Sequence, residues 1–203
     1  MKLLPVSTFE HYGIKNVRSL GNNLYSGAAL DGMGSLIKNL KDEFNIKTII
    51  DFRGLGESRS NIATDCIEKE MNYINFAVGH TRNGLSGGVG VATVSDEYIS
   101  QLKSFINAYN EGNAYMGCQY GIDRTNLALT LNYLLNPKAT APEILTWGNF
   151  NPKSVINRTL KIARKLIKRM TPEQKAEFNL PEDYNTLFQS KVKQLLQTNM
   201  LYG

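Results

Sequence analysis

Residues 118–125 read Cys118-Gln119-Tyr120-Gly121-Ile122-Asp123-Arg124-Thr125, so five residues separate a cysteine from an Arg-Thr pair. A loop of this length can turn its backbone N–H groups inward around an oxyanion. Arg124 adds a planar fork that holds two phosphate oxygens at once, which a lysine cannot do. The same donors favour the thiolate of Cys118, the form that attacks phosphorus. The spacing therefore predicts a phosphate-binding loop that carries its own nucleophile.

The residues on either side of this loop favour a strand before it and a helix after it. Residues 113–116 form a short apolar run, and leucines recur at helical spacing from Leu127 to Leu135. A helix that begins here points its unpaired N-terminal amides at a bound anion. We therefore expect a phosphate or sulfate in the loop. The expected phosphate-binding residues are Gln119, Tyr120, Gly121, Ile122, Asp123 and Arg124.

Strands and helices alternate along the rest of the chain, which indicates an α/β fold. We expect a central parallel or mixed sheet flanked by helices, with the Cys118 loop at the carboxyl end of a strand, where such sheets bind ligands. Ser95 is the expected N-cap of one helix. The predicted strands, besides the one before the loop, span 17–27, 47–52 and 73–78, and the predicted helices span 35–44, 59–71 and 95–109.

Three segments resemble the cysteine-dependent protein tyrosine phosphatase superfamily, in particular its compact dual-specificity-like and bacterial members. The superfamily loop reads His-Cys-x-x-Gly-x-x-Arg-Ser/Thr-Gly. Residues 22–27 are similar to an early Leu-Tyr-Arg-Ser-Gly segment with the arginine missing, and residues 46–53, followed by Glu57, are similar to an Ile-Asp-Leu-Arg … Glu strand and loop. The resemblance covers about residues 17–136. The loop residues that match are Cys118, Gly121, Arg124 and Thr125.

The resemblance implies a phosphatase that works through a phosphocysteine. Cys118 attacks phosphorus, Arg124 and the loop amides bind the phosphoryl oxygens, and Thr125 donates to the sulfur and helps it leave. The superfamily also carries an aspartate upstream of the cysteine that protonates the leaving oxygen. This chain has no carboxylate from Gly79 to Ser95. The leaving group still needs a proton donor, because an alkoxide or phenolate leaves poorly.

Three residues are candidates for that donor, and Asp123 is favoured. Asp123 lies in the loop, and the run Asp-Arg-Thr-Asn is similar to that of myotubularin-like and Sac-type lipid phosphatases. Asp96 lies at the start of the helix predicted over 95–109. His80 lies in the glycine-rich segment 79–94 and titrates near neutral pH. Each also has a structural interpretation. Asp123 orients Arg124 or caps the helix, Asp96 is a helix N-terminal charge, and His80 is a solvated loop residue.

Two further departures bear on function and substrate. Gly117 replaces the histidine before the cysteine, and Asn126 replaces the glycine after Thr125. Loops that favour inositol phosphates have lysines where this chain has Gln119 and Ile122 or Asp123. We therefore favour phosphotyrosine or dual-specificity protein substrates, with phosphoinositides as the alternative. A catalytically weak pseudophosphatase that binds phosphorylated partners is a second alternative.

Arg53 and the two cysteines have simpler interpretations. Arg53 either adds positive charge at the site or pairs with Glu57 and holds its loop. Cys66 is expected on the buried face of its helix with Ile62 and Ile67, as a small hydrophobe. Two cysteines make no disulfide framework, and two distant histidines suggest no metal site, so we expect no cofactor.

The strongest local charge lies in a predicted amphipathic helix over 154–170. Seven basic residues and no acidic one fall in 153–170, while the other 16 basic residues are outnumbered by 18 acidic ones. This favours peripheral contact with an anionic membrane or an acidic partner, or else a solvated basic face. A single basic helix without aromatic residues does not indicate nucleic-acid binding. The expected apolar stripe is Ile156, Leu160, Ala163, Ile167 and Met170.

Length and composition fit one domain with an appendage. The chain has 203 residues, 42% of them hydrophobic and 20% charged, as in ordinary globular proteins. We expect a phosphatase domain over 1–140 and a helical extension over 141–203 packed on it. No apolar run has the length of a membrane span, and residues 1–6 are too short for a signal peptide. A nucleophilic thiol indicates a reducing, cytoplasmic compartment, and non-classical export is compatible with this sequence.

Overall fold

The computed structural model describes residues 6–54, 60–78, 95–146 and 151–200. In chain order the strands are β1 (Arg18–Gly21), β2 (Leu24–Ala28), β3 (Thr48–Asp51), β4 (Asn72–Asn75) and β5 (Ala114–Cys118). The helices are α1 (Val6–His11), α2 (Gly34–Asp42), α3 (Ser60–Glu68), α4 (Asp96–Glu111), α5 (Asp123–Leu135), α6 (Pro152–Arg169), α7 (Pro172–Glu177) and α8 (Tyr184–Met200).

The five strands form one mixed sheet in the order β1-β2-β5-β3-β4. Strands β2, β5, β3 and β4 run parallel, and β1 pairs antiparallel with β2. The expected α/β fold with a central mixed sheet is confirmed. The segment predicted as a short strand and turn over 17–27 is a hairpin of two strands, and it adds the antiparallel edge. Every residue of β5 is buried, because this strand has a neighbour on each side and helices on both faces.

Two apolar cores cover the two faces of the sheet. Side chains alternate between faces along a strand, so Met116 of β5 joins one core and Tyr115 joins the other. The Met116 core contains residues of α4, α5, α6 and α8. The Tyr115 core contains residues of α1, α2 and α3. Helix α1 had no sequence prediction, and its Phe9 stacks on Tyr115 with ring centroids 5.2 Å apart.

One predicted helix cap is confirmed, and one predicted buried helix face is partly wrong. Ser95 caps α4 as expected, and its Oγ accepts from the Tyr98 amide at 3.1 Å. On α3, Cys66 is buried as predicted, but Ile67 is 75% exposed. The prediction for Ile67 was wrong because Ile67 lies about 100° around the helix from Cys66, and α3 packs on the core with the face that carries Ile62 and Cys66.

Helix α6 has a broader buried face than the predicted stripe. Val155, Ile162 and Leu166 are also buried, whereas the predicted Leu160 is only half-buried. The reason is that α6 packs against both α5 and α8, so two neighbours cover it rather than one. Residues of α6 and α8 share the core of β5. The division of the chain at residue 140 stays a prediction. Among the described helices, none is both long and apolar enough to cross a bilayer.

Candidate functional site

The nucleophile candidate lies where strand β5 ends. Cys118 is its last residue, residues 119–122 form a turn, and α5 begins at Asp123. Cys118 is 2% exposed, and the hydroxyl of Thr125 donates a hydrogen bond to its sulfur at 3.3 Å. The structure thus brings together the cysteine and the hydroxyl that the sequence separates by six residues. A donor at the sulfur stabilises negative charge there.

The loop between Cys118 and Thr125 packs against the end of β2. Gly121 has a φ of +72°, and a Cβ on it would lie 2.3 Å from the carbonyl carbon of Gly27. Both the left-handed backbone and the close approach therefore require glycine at this position. The side-chain amide of Asn16 donates to the Tyr120 carbonyl at 2.8 Å and ties the loop from the other side. The Gly121 amide donates to the Cys118 carbonyl at 3.3 Å and closes the turn.

The same close approach explains the glycine before the cysteine. Gly117 pairs with Gly27 across the parallel strands β5 and β2. A Cβ at position 117 would lie 2.3 Å from the Gly27 carbonyl oxygen, which leaves no room for any side chain. The histidine of the superfamily loop therefore has no place here.

The remaining loop residues differ in exposure. Ile122 is buried and precedes α5 as its N-cap residue, with no side chain that could accept from the first-turn amides. Gln119 and Tyr120 are exposed, and Arg124 is half-buried in the first turn of α5. Because the N-cap side chain accepts no hydrogen bond, the first-turn amides of α5 can bind an anion.

The acid candidates lie in different surroundings. Asp123 is exposed at the first position of α5, and its charge acts on Arg158 of α6. Asp96 is exposed in the first turn of α4, as expected for a helix N-terminal charge. His80 lies outside the described residues, as do the whole segment 79–94 and Glu57.

Arg53 is buried beneath the loop in a cluster of carboxylates. It binds both oxygens of Asp51 and both oxygens of Asp31. The hydroxyl of Tyr73 also donates to Asp51, at 3.0 Å. Burial alone lowers the pKa of Arg53, but the hydrogen bonds to Asp31 and Asp51 outweigh it and raise the pKa above its ordinary value.

This cluster decides between the two interpretations of Arg53. Two carboxylates against one guanidinium leave no net positive charge for the site, so the interpretation as a source of positive field is wrong. Arg53 is structural, with Asp31 and Asp51 as its described partners. It contacts the loop from its Nη1 to the Gln119 Oε1, at 3.4 Å.

A second buried arginine, which the sequence did not single out, holds the start of α5. Arg18 of β1 uses three nitrogens for three acceptors. They are the Ser26 hydroxyl at 2.9 Å, the Glu143 carbonyl at 2.5 Å and the Asn126 side-chain oxygen at 3.0 Å. The Asn126 side-chain oxygen also accepts from the Leu145 amide, and the Asn126 side-chain nitrogen donates to the Leu145 carbonyl. Asn126, which replaces the superfamily glycine, therefore joins α5 to both β1 and the segment after it.

The pairing of β1 with β2 places Arg18 beside residues 22–27. Arg18 lies directly across from Ser26 in this antiparallel pair. Burial lowers the pKa of Arg18 to about 10, and interactions with negative charge at Glu143 and at Cys118 act in the opposite direction. Arg18 is therefore close enough to the site for the charge of Cys118 to act on it.

We predict that Arg18→Lys destabilises the protein by about 1–3 kcal/mol, because one ammonium cannot reach three acceptors and leaves buried acceptors unpaired. Urea unfolding measures the loss. Arg164→Lys, the same change at an exposed position of α6, is the control and should shift the free energy of unfolding by less than about 0.5 kcal/mol. Equal stability of the two variants would contradict the role given to Arg18.

The second cysteine has none of the features of the first. Cys66 is fully buried in the core beside α2. Burial raises the pKa of the Cys66 thiol to about 12, and the charge of Asp65 adds to the effect. It is a neutral thiol at physiological pH, as expected for a small hydrophobe.

No family model matches this chain, and no curated protein matches its sequence. Among solved structures it is similar to the core catalytic domain of the PP-IP phosphatase Siw14 from S. cerevisiae in complex with citrate, at 10% identity and a TM-score of 0.43 over 96% of this chain and 98% of that chain. It is also similar to TpbA from P. aeruginosa in complex with pTyr, at 15% identity and a TM-score of 0.42 over 87% and 90%.

A third similar structure is PTPMT1 in complex with PI(5)P, at 10% identity and a TM-score of 0.44 over 86% of this chain and 97% of that chain. The ligands named with these structures belong to those proteins.

Proposed function

We propose that this protein hydrolyses phosphate monoesters through a phosphocysteine at Cys118. The observation that carries the proposal is the hydrogen bond from the Thr125 hydroxyl to the Cys118 sulfur, at 3.3 Å, inside a loop between the end of β5 and the start of α5. A buried thiol with this donor, at a helix N-terminus that no side chain caps, is suited to exist as a thiolate under a bound phosphate.

The reaction has two displacements at phosphorus. The Cys118 sulfur forms a bond to phosphorus while the bond to the ester oxygen breaks, and that oxygen takes a proton from the general acid. Arg124 and amides of residues 119–124 bind the phosphoryl oxygens. Water then attacks phosphorus and gives a proton to the general acid that was deprotonated in the first step, and the sulfur leaves as a thiolate, which the Thr125 hydroxyl stabilises. The products are the free hydroxyl compound and inorganic phosphate.

Phosphotyrosine or mixed protein substrates fit the loop best. Arg124 is the one basic residue from 118 to 125, which suits a single phosphoryl group. The Gln119 side chain is directed to Arg53 and adds no charge. Tyr120 is 62% exposed beside Gln119, and an aromatic ring beside the nucleophile suits an aromatic leaving group. The Asp-Arg-Thr-Asn run keeps phosphoinositides as the alternative.

A binding module without turnover is the second candidate, and two observations favour it. Position 117 excludes a histidine, and no carboxylate precedes the loop from residue 79 to residue 95. Assays on an aryl phosphate, a panel of phosphotyrosine peptides and a panel of phosphoinositides test both candidates. Binding of phosphate without turnover of any substrate would support the module and overturn the phosphatase.

We predict that Asp123→Asn slows phenyl phosphate by about 10²-fold or more and para-nitrophenyl phosphate far less, if Asp123 is the general acid. A good leaving group departs without a proton, so only the poor one needs the donor. The measurement is kcat for both substrates. Asp96→Asn is measured in the same way as the second candidate, since it removes an exposed helix N-terminal carboxylate on α4 instead of α5.

Equal slowing of both substrates by Asp123→Asn would show that Asp123 is structural. A leaving-group-dependent loss in Asp96→Asn or His80→Ala instead would assign the acid to that residue. If none of the three variants shows such a loss, either water supplies the proton or the site is not built for turnover.

A further inference from the structure

A basic pocket lies on α6, next to the start of α5. It has a volume of about 430 Å³, opens widely to solvent, and three of its lining residues are basic. The other lining residues offer side-chain amides and a hydroxyl. The lining consists of Asn151, Lys153, Ser154, Asn157, Arg158 and Lys161. We call it the α6 pocket.

The three basic residues of the α6 pocket have no close carboxylate partner among the described residues. In the part of the chain that the structure describes, Lys153, Arg158 and Lys161 form no ion pair within 4.0 Å. The Nη2 of Arg158 is buried and has no hydrogen-bond partner among the described residues. A buried guanidinium nitrogen without an acceptor costs free energy, so an anionic ligand there would recover a lost interaction.

The α6 pocket lies on the helix that packs against α5, the helix that begins at the Cys118 loop. Burial lowers the pKa of Arg158, and the charge of Asp123 partly offsets this, so the two side chains interact. Asp123 directly precedes Arg124, and α6 packs along α5. A substrate whose phosphate lies over Cys118 therefore has a positively charged surface beside it.

The apolar residues of α6 argue against a membrane as the ligand. Helices that bind bilayers expose large apolar side chains next to their basic ones. On α6 the apolar residues face α5 and α8 instead, and those buried are Val155, Ile156, Ile162, Ala163, Leu166 and Ile167. Only Leu160 is half-buried. The pocket offers charge and hydrogen-bond donors, which suit a hydrated acidic ligand.

We propose that the α6 pocket binds a second anionic group of the substrate, a carboxylate or phosphate on a peptide residue beside the phosphotyrosine. Arg158 and Lys161 are the specificity-determining residues, with Lys153 at the edge. This inference rests on the proposed phosphatase activity at Cys118. It assigns the basic helix to substrate selection rather than to membrane attachment.

The test compares phosphotyrosine peptides that differ only in flanking residues, glutamates in one and glutamines in the other. The wild-type protein should favour the acidic peptide in kcat/KM by about fivefold to tenfold. The double variant Arg158→Gln/Lys161→Gln should lose this preference and keep its rate on para-nitrophenyl phosphate within about twofold. A peptide with a second phosphotyrosine in place of the glutamates distinguishes a phosphate from a carboxylate.

The matched control is Arg164→Gln/Lys168→Gln, which removes the same charge from exposed positions of α6 outside the pocket. It should keep the preference. Equal loss in both double variants would overturn the proposal, because it would mean a general charge effect. Because Arg158 is half-buried, the exposed single variant Lys161→Gln is measured as well and should lose part of the preference.

Binding separates this proposal from the proposed activity. If the wild-type protein hydrolyses neither peptide, no phosphoinositide and no para-nitrophenyl phosphate, the activity at Cys118 is refuted. Titration calorimetry of both peptides with the Cys118→Ser protein then tests the pocket alone. Tighter binding of the acidic peptide, lost in the pocket variant, supports the pocket. Loss of binding to phosphatidylserine vesicles in the pocket variant, with the peptides unaffected, would overturn it in favour of a membrane surface.

Discussion

The Cys118→Ser variant is expected to lose hydrolysis of para-nitrophenyl phosphate by about 10³-fold or more, while it keeps its affinity for phosphate or tungstate. Serine has nearly the size of cysteine, so the turn that Gly121 makes on Gly27 is preserved. Its hydroxyl is hardly ionised at neutral pH and is a weak nucleophile. Steady-state kinetics and oxyanion binding by calorimetry measure the two effects.

The control for this prediction is Cys66→Ala. Cys66 is a neutral thiol in the other core, so the variant should keep the rate and lose only stability. Undiminished turnover by Cys118→Ser would rule out a covalent mechanism in which Cys118 is the nucleophile. Loss of oxyanion affinity together with activity would mean that the substitution disturbs the loop rather than the chemistry.

The Arg124→Lys variant should lose about 10²- to 10³-fold in kcat although it keeps the charge. The guanidinium holds two equatorial oxygens of the phosphoryl group in one plane, and an ammonium holds one. Arg124 lies in the first turn of α5, directly before the Thr125 that donates to the sulfur. The measurement is kcat and KM for an aryl phosphate.

Arg164→Lys serves again as the control, since it makes the same change at an exposed position of α6. A near-wild-type rate for Arg124→Lys would mean that Arg124 does not hold the transferred group. The loop would then bind its anion through backbone amides alone, and the substrate preference proposed here would lose its basis.

The sequence predicts the parts of the site that lie close together along the chain. The order strand, cysteine, glycine turn and helix is local, and the structure confirms it from Ala114 to Leu135. The hydroxyl-to-sulfur contact also follows, because Thr125 is fixed by the first turn of α5. These features need only backbone geometry and helix periodicity, which a sequence carries directly.

The sequence does not predict the supports of the site that come from distant segments. Arg18 and Asn126 are 108 residues apart, and Arg53 and Gln119 are 66 apart. No local pattern pairs such residues, and only the sheet order brings them together. Arg18 reaches Ser26 because β1 pairs antiparallel with β2, a pairing that no local pattern around Arg18 indicates.

Close backbone approaches are a second class of feature that sequence reasoning missed. Gly117 stood out only as a departure from the superfamily loop, and the structure shows it to be a packing requirement against Gly27. The buried face of α3 is a third such feature. Ile67 is apolar, which suggested burial, but Cys66 lies on the face of α3 that packs on the core. A pattern of apolar residues gives a helix face to within one residue, not better.

Trapping the covalent intermediate tests the central claim most directly. The protein is mixed with an aryl phosphate, quenched in acid within the first turnover, digested, and examined by mass spectrometry. The account predicts the added mass of one phosphoryl group on the peptide that contains Cys118, and its absence in the Cys118→Ser protein. Turnover without any phosphorylated cysteine, or a phosphoryl group on Cys66 or another residue, would contradict it.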